Sequence, residues 1–325
     1  MREVLEGAAT PAQMAAYMFG LRCKGETVQE LAGMLEAMLE VAERVPVPLS
    51  LAERLVDTCG TGGDRSGTVN ISTTAALVVA GTGTPVCKHG GRASSSRTGS
   101  ADVLEALDVV IALPPSAVAR CVQEAGIGFC FAPRYHPAMR HVGPARAQLG
   151  VPTAFNLLGP LANPGRAPYQ LVGVGDGRVA ERLARVLAQT GAKRSWVVHG
   201  DDGLDELSTT GLSRVVEWDA AGATVRELVV DPGELGLTPA RPEDLRGGDA
   251  AHNAQAVLRV LGGEPGPQRD IVLLNAAAAL VVAGTVPDLL QGLEQAAAAV
   301  DSGRAMACLD RLREVSIAEA GPPPA

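Results

Sequence analysis

Apolar positions follow two regimes along this chain. Over residues 11–46 they recur at helical spacing, and Leu31, Met34, Leu35, Met38 and Leu39 mark one helix face. Thr27 stands where an N-cap belongs, and Glu30 follows three residues on as the other half of a capping box. Pro46 and Pro48 end the helical region. From Leu55 onward, short Val-rich runs alternate with helical stretches. Strands are predicted at 55–57, 85–87, 109–113, 127–131, 171–174 and 196–199. Helices are predicted between them at 73–80, 101–107, 116–125 and 179–189. Such alternation predicts an α/β fold, a mostly parallel sheet with helices on its faces. A helix over 136–149 and a Pro/Gly-punctuated stretch to 161 interrupt the series. Residues 213–230 read as a few exposed strands, and 251–260, 270–284, 287–302 and 305–318 as closing helices. The tail 321–325 is read as frayed.

Composition narrows the class. The chain has 325 residues, 46% of them apolar but only 3% aromatic, so its core is built from Ala, Val and Leu. A chain this long buries a full core without staples, and its length suggests two domains. The six cysteines, Cys23, Cys59, Cys87, Cys121, Cys130 and Cys308, form no CxxC pair. They read as reduced thiols, not as a disulfide framework or a zinc site. The longest apolar run, 272–286, is interrupted by Asn275 and is too short to span a bilayer. No secretory signal is read at the start, so a soluble, cytoplasmic protein with no membrane partner is expected. A net charge of −8 argues against a general nucleic-acid binder.

The local charge tells a different story from the total. Between Arg65 and Ala101 there is no Asp or Glu, while Arg65, Lys88, Arg92 and Arg97 all fall in that window among many hydroxyls. A basic, Gly-rich, hydroxyl-rich window in an acidic chain suits a small polyanionic ligand. Four stretches carry candidate chemistry. Val56–Asp64 (VDTCGTGGD) follows a strand with glycines that can bring backbone N–H groups to phosphate, although an ordinary strand-to-helix turn would look the same. Asn70–Thr73 opens a helix, whose N-terminus suits phosphate; simple N-capping also explains these residue types. Lys88–Ser96 (KHGGRASSS) offers two cations, two glycines and three hydroxyls as a phosphate cradle or a polar surface loop. Asp201–Glu206 (DDGLDE) lies beyond a strand end, where adjacent carboxylates suit Mg2+ or form a solvated acidic turn. His136, His141 and His199 read as structural residues, and no GxSxG, HExxH or Cys–His pair is present.

Seven motifs, in order, resemble the anthranilate phosphoribosyltransferase family over nearly the whole chain. They are DTCGTGGD (57–64), TVNISTTAA (68–76), KHGGRASSS (88–96), GSADVLEAL (99–107), FAPRYHPAMRHVGPAR (131–146), FNLLGPLANP (155–164) and DGLDELS (202–208). The resemblance implies the nucleoside-phosphorylase type of fold, a small all-helical domain plus a larger α/β domain with a mostly parallel central sheet. The helical part would be residues 1–48 plus about 135–162, forming a homodimer, and the α/β part 49–134 plus 163–320, with the active site in the cleft between them. The implied reaction moves phosphoribosyl from 5-phosphoribosyl 1-diphosphate to the amine of anthranilate, in tryptophan biosynthesis, with Mg2+. Carried onto this chain, the phosphoribosyl diphosphate site would comprise Gly60, Gly63, Asp64, Thr68, Asn70, Ile71, Ser72, Thr73, Lys88, His89, Gly90, Gly91, Arg92, Ala93, Ser94, Ser95, Ser96 and Ser100. Gly60, Gly91 and Arg146 would meet anthranilate, and Ser72, Asp205 and Glu206 would hold Mg2+. No covalent nucleophile is implied.

One departure bears on specificity. The family usually reads KHGNR where this chain reads KHGGR, so Gly91 lacks an amide that would touch anthranilate. A neutral contact of that kind contributes about 1 kcal/mol, and roughly 1.5–3 kcal/mol if it meets a carboxylate. Three alternatives stay open at this level: a related pentosyltransferase with another aromatic acceptor, a pyrimidine-nucleoside phosphorylase, and a nucleic-acid-binding paralogue without activity. The Asp205–Glu206 pair speaks against the phosphorylase and the net charge against the paralogue.

Overall fold

The structure, a computed structural model, describes residues 1–93 and 97–321. Seven strands form one sheet: β1 (Val56–Gly60), β2 (Val86–Gly90), β3 (Ile127–Phe131), β4 (Tyr169–Gly173), β5 (Arg194–Gly200), β6 (Ser213–Asp219) and β7 (Thr224–Val230). Their spatial order is β3-β2-β1-β4-β5-β6-β7. The first five are parallel and the last two pairs antiparallel. Helices cover both faces, and the two-residue period of the strands sorts side chains between two cores. Val172, Val197 and Val216 face one core; Leu171, Trp196, Val198 and Val215 face the other. Burial on both faces explains why these strands read as continuous Val-rich runs.

The N-terminal helices Pro11–Lys24 and Val28–Glu40 lie over the first core. Each opens on a capping box, Thr10 with Gln13 and Thr27 with Glu30. The predicted box at Thr27 is present in both directions: Glu30 N–H donates to Thr27 Oγ1 at 3.2 Å, and Thr27 N–H donates to Glu30 Oε2 at 3.0 Å. Helices Met139–Leu149 and Ala154–Leu161, far on in sequence, pack against these two. The long closing helices Pro267–Val282, Leu289–Asp301 and Arg304–Ala320 cover the opposite face with Ile71–Gly81. All six cysteines are free, and no helix among the described residues is long and apolar enough to cross a membrane.

Three sequence expectations need correction. Residues 109–113 form no strand. Val109, Ile111 and Leu113 are buried in alternation, but the segment packs beside the last helix, where Val110 N–H donates to Ser316 Oγ at 3.1 Å. The helix predicted from 136 begins at Met139, because Pro137 holds His136 outside the helical region, at φ −120° and ψ 61°. Residues 213–230 form two strands, only one of them exposed: β6 is largely buried inside the main sheet, and β7, mostly exposed, forms its edge. Buried Glu217 of β6 accepts from Arg194, Arg226 and Trp196 Nε1.

Candidate active site

Strand order reverses between β1 and β4, so the connections leaving these two neighbours part to opposite sides. In an open α/β sheet the crevice beyond the carboxyl ends at such a point is where ligands sit. A cleft of about 770 Å³ lies there. It is walled by the segments after β1, β2 and β5 and roofed by residues of helices Met139–Leu149 and Ala154–Leu161.

Asp205 sits over two missing side chains. Gly60 and Gly173 face each other in the β1–β4 register. A Cβ on Gly60 would lie 2.5 Å from Asp205 Oδ2, and one on Gly173 only 1.5 Å from Asp205 O. The glycines therefore form the cradle of this residue, whose carboxylate also accepts from Gly62 N–H at 2.8 Å. Glu206 accepts from Ser72 N–H at 3.1 Å in the first turn of helix Ile71–Gly81, where the helix favours negative charge. As residues both are partly open to the cleft, but their carboxyls are enclosed by protein. Burial and then the Asp64 charge push Asp205 up to about 6. Burial and then Asp205 raise Glu206 as well. Three carboxylates crowding one wall leave a deficit of positive charge.

Lys88 supplies one cation to that wall. It is buried at the end of β2, its Nζ donating to Thr58 O and lying 3.5 Å from Ser72 Oγ. Asp57, fully buried on β1, ties this region together: Oδ1 accepts from His89 N–H at 3.1 Å and Oδ2 from Asn163 Nδ2 at 2.7 Å. Burial outweighs the neighbouring Lys88 and raises its carboxyl to about 6. His89 is held neutral, pushed down to about 3 by burial and then by His136 and Lys88. Its Nε2 is buried and has no hydrogen-bond partner among the described residues. A divalent cation fits this donor set. Two desolvated carboxylates and the Ser72 hydroxyl offer hard oxygen ligands, few enough to leave room for the substrate oxygens and waters that Mg2+ retains.

The other side of the cleft presents a guanidinium stacked on an aromatic ring. The Arg146 guanidinium stands 5.6 Å over the Phe155 ring and reaches Asn156 Oδ1 at 3.4 Å. No carboxylate pairs with it among the described residues, and burial alone lowers its pKa. Opposite, Gly91 opens onto space: a Cβ there would meet only Ala132 Cβ, at 3.9 Å.

Of the residues expected from the sequence, the cleft wall contains Gly60, Gly63, Asp64, Thr68, Asn70, Ile71, Ser72, Lys88, His89, Gly90, Gly91, Arg92, Ala93, Ser100, Arg146, Asp205 and Glu206. Thr73 stands behind that wall, its hydroxyl donating to Ser100 Oγ at 3.0 Å. Ser94, Ser95 and Ser96 lie outside the described residues. Three of the four cations in the charge window are placed otherwise than it suggested. Arg92 bridges Asp102 and Glu105 and stacks 5.5 Å over Phe131. Arg65 and Arg97 are exposed outside the cleft wall. Asn70 gives its side chain to Thr98 O and Asn253 and does not cap its own helix. Sequence reading missed Thr61, Arg140, Phe155 and Asn156 on the wall, and Gly173 and Asp57 behind it. The motifs around 131–146 and 155–164 were the available signal for the roof.

Comparison with known proteins agrees with this fold. Residues 52–306 match the model of the α/β domain of a glycosyl transferase family, and residues 1–42 match the model of its helical bundle domain. Anthranilate phosphoribosyltransferase from Chloroflexus aggregans is 51% identical over 321 residues, covering 98% of this chain and 93% of its own. The enzyme of that name from Thermomicrobium roseum is 52% identical over 326 residues, covering 99% of this chain and 93% of its own. Among solved structures, anthranilate phosphoribosyltransferase from Thermus thermophilus superposes with a TM-score of 0.91 at 43% identity, covering 97% of this chain and 93% of that one. The Saccharomyces cerevisiae enzyme in complex with PRPP and Mg gives 0.87 at 27% identity, covering 97% and 90%. With both domains matched and half the residues identical end to end, the chain belongs to the anthranilate phosphoribosyltransferase family.

Proposed function

We propose that this cleft transfers the phosphoribosyl group of 5-phosphoribosyl 1-diphosphate to the amine of anthranilate through the following division of labour. The observation that carries it is the meeting, at the switch point, of an acidic wall with one buried lysine and an unpaired guanidinium over an aromatic ring. The Gly60–Thr68 segment, the first turn at Asn70–Thr73 and the Lys88–Ser100 segment surround the phosphates. Ser72, Asp205 and Glu206 hold Mg2+. When bound, that ion offsets the negative charge that grows on the departing diphosphate. Lys88, fixed between Thr58 O and Ser72 Oγ, puts a desolvated positive charge beside the same oxygens. Arg146 receives the anthranilate carboxylate in its planar fork, and His89 Nε2 offers a hydrogen-bond position in the wall. The bond from C1 of the ribose to diphosphate breaks, the bond from C1 to the amine nitrogen forms, and the amine gives up a proton. No side chain bonds covalently to the sugar. Holding the two substrates in line supplies much of the rate.

Residues 1–48 with about 135–162 are the helical domain in this reading, and the rest is the α/β domain. The protein works in the cytoplasm in this reading, and its pairing as a homodimer through the helical part is supported by Tyr17 and Phe19, 36% and 48% exposed on helix Pro11–Lys24. Sedimentation equilibrium at the 33.3 kDa monomer mass would remove that part of the proposal.

The test is loss of anthranilate fluorescence with 5-phosphoribosyl 1-diphosphate and Mg2+. No loss at saturating substrates would sink the assignment. Arg146→Lys is expected to raise the KM for anthranilate tenfold or more and to leave that for 5-phosphoribosyl 1-diphosphate within twofold. An ammonium keeps the charge but loses the bidentate fork and the stack on Phe155, a loss of about 1.5–3 kcal/mol for a charged hydrogen bond.

A further inference from the structure

Two residues of the cleft wall, Asn70 and Thr98, close a ring of hydrogen bonds with Gly248 and Asn253 behind it. Asn253 Nδ2 donates to Asn70 Oδ1 at 2.8 Å. Asn70 Nδ2 donates to Thr98 O at 3.2 Å. Thr98 Oγ1 donates to Gly248 O at 2.9 Å, and Gly248 N–H donates to Asn253 Oδ1 at 2.7 Å. The ring joins the end of the first Gly-rich segment, the end of the second and the start of helix Ala250–Leu261. Backbone contacts reinforce it: Gly247 N–H donates to Gly67 O at 2.8 Å, Val69 N–H donates to Leu245 O at 3.0 Å, and Thr68 bridges Arg246. The approach is close enough that a Cβ on Gly247 would lie 2.4 Å from Thr68 O.

The chemistry of the two ends sets the direction of the ring. Gly248 N–H can only donate, so the Asn253 atom facing it is oxygen. Thr98 C=O can only accept, so the Asn70 atom facing it is nitrogen. The remaining atoms, Asn253 nitrogen and Asn70 oxygen, then meet as donor and acceptor. Asn253 is 1% exposed and reaches no cleft surface, yet it sets the orientation of the residue that opens helix Ile71–Gly81.

We infer that Asn253 is a positioning residue for phosphoribosyl diphosphate, holding both Gly-rich segments in register through Asn70 and Thr98. The inference rests on the proposed location of the phosphates along those segments. In Asn253→Asp the acceptor for Gly248 N–H is kept, but an oxygen faces Asn70 Oδ1. Turning the Asn70 amide over to relieve that contact would set its oxygen against Thr98 O, so one contact is lost either way.

The experiment measures both KM values, kcat, calorimetric binding of 5-phosphoribosyl 1-diphosphate with Mg2+, and the melting temperature. The proteins are wild type, Asn253→Asp, Asn253→Ala and, as a reference for the site, Lys88→Met. Weakened 5-phosphoribosyl 1-diphosphate binding and a KM for it raised tenfold or more are expected in both Asn253 variants, with the KM for anthranilate within twofold. A lower melting temperature with both KM values unchanged overturns the inference, since it marks a structural role only. Should Asn253→Ala fail to fold, Asn253→Asp, which keeps one of the two contacts, decides between these outcomes. If Lys88→Met retains wild-type binding, the site assignment itself fails. If Lys88→Met loses binding while both Asn253 variants keep it, only the positioning role fails.

Discussion

Asp205→Asn combined with Glu206→Gln is expected to lower Mg2+-dependent turnover at least 100-fold while making the metal-free protein more resistant to heat. Two orders of magnitude correspond to about 2.7 kcal/mol of transition-state stabilisation. The gain in stability follows from linkage. Asp205 titrates near 6 in the folded chain, raised by burial and by Asp64, against about 3.9 when unfolded. Between those values the folded chain keeps a proton that the unfolded chain releases, so stability falls as pH rises through the window. The Asp205 share of the destabilisation is complete above about 6, and Glu206, raised to about 8 by burial and then by Asp205, extends it further. Asp57, raised by burial to about 6, contributes in the same direction and is left in place by the substitutions. The melting temperature of the metal-free wild type should therefore rise as pH falls from 7 to 5, and the double variant should show a shallower rise. Mg2+ should raise the melting temperature of the wild type at pH 8 and leave the variant unmoved. Turnover in the variant with the wild-type dependence on Mg2+ would refute the metal assignment.

How much of this was legible in the sequence depended on whether the interacting groups were neighbours along the chain. Lys88 with His89, Asp205 with Glu206, and the Gly60–Asp64 loop are contiguous, and each lies at or beyond the end of a strand, so pattern and chemistry pointed the same way. The alternation of strands and helices carried the parallel sheet for the same reason. Residues 109–113 show what periodicity does report: alternate burial, which a segment attains against a helix without any partner strand. The burial of β6 depended on Arg194 and Arg226 meeting Glu217 across the sheet, an event that leaves no local trace. Asn70 looked like a cap because its side-chain partner, Asn253, is 183 positions away. Arg92 looked like a free cation because Asp102 and Glu105 lie beyond the acid-free window that drew attention to it. Gly173 carried no motif at all, since its role is to leave room for a residue on another segment.

That role makes Gly173→Ala the most damaging single methyl the site can receive. The added Cβ would lie 1.5 Å from Asp205 O and 2.5 Å from Asp205 C. These are backbone atoms, so no rotamer change relieves the clash, and the segment carrying Asp205 and Glu206 must move as a piece. Overpacking of a well-filled site costs about 1–3 kcal/mol, and the rigidity of this one places it toward the upper end. The same displacement pulls Asp205 off Gly62 N–H and Glu206 off Ser72 N–H, so kcat/KM should fall about 100-fold or more and the apparent affinity for Mg2+ should weaken with it. Gly91 is the control. It lines the same cleft, but a Cβ there meets nothing nearer than 3.9 Å, so Gly91→Asn should leave the melting temperature within a degree or two. Its amide would extend into the acceptor side and should lower the KM for anthranilate. Titrating Mg2+ and anthranilate against both variants separates the two kinds of glycine. Wild-type Mg2+ dependence in Gly173→Ala would show that the Asp205 segment is free to shift without cost, and an unchanged or higher KM for anthranilate in Gly91→Asn would show that the open space at 91 is not where the acceptor binds.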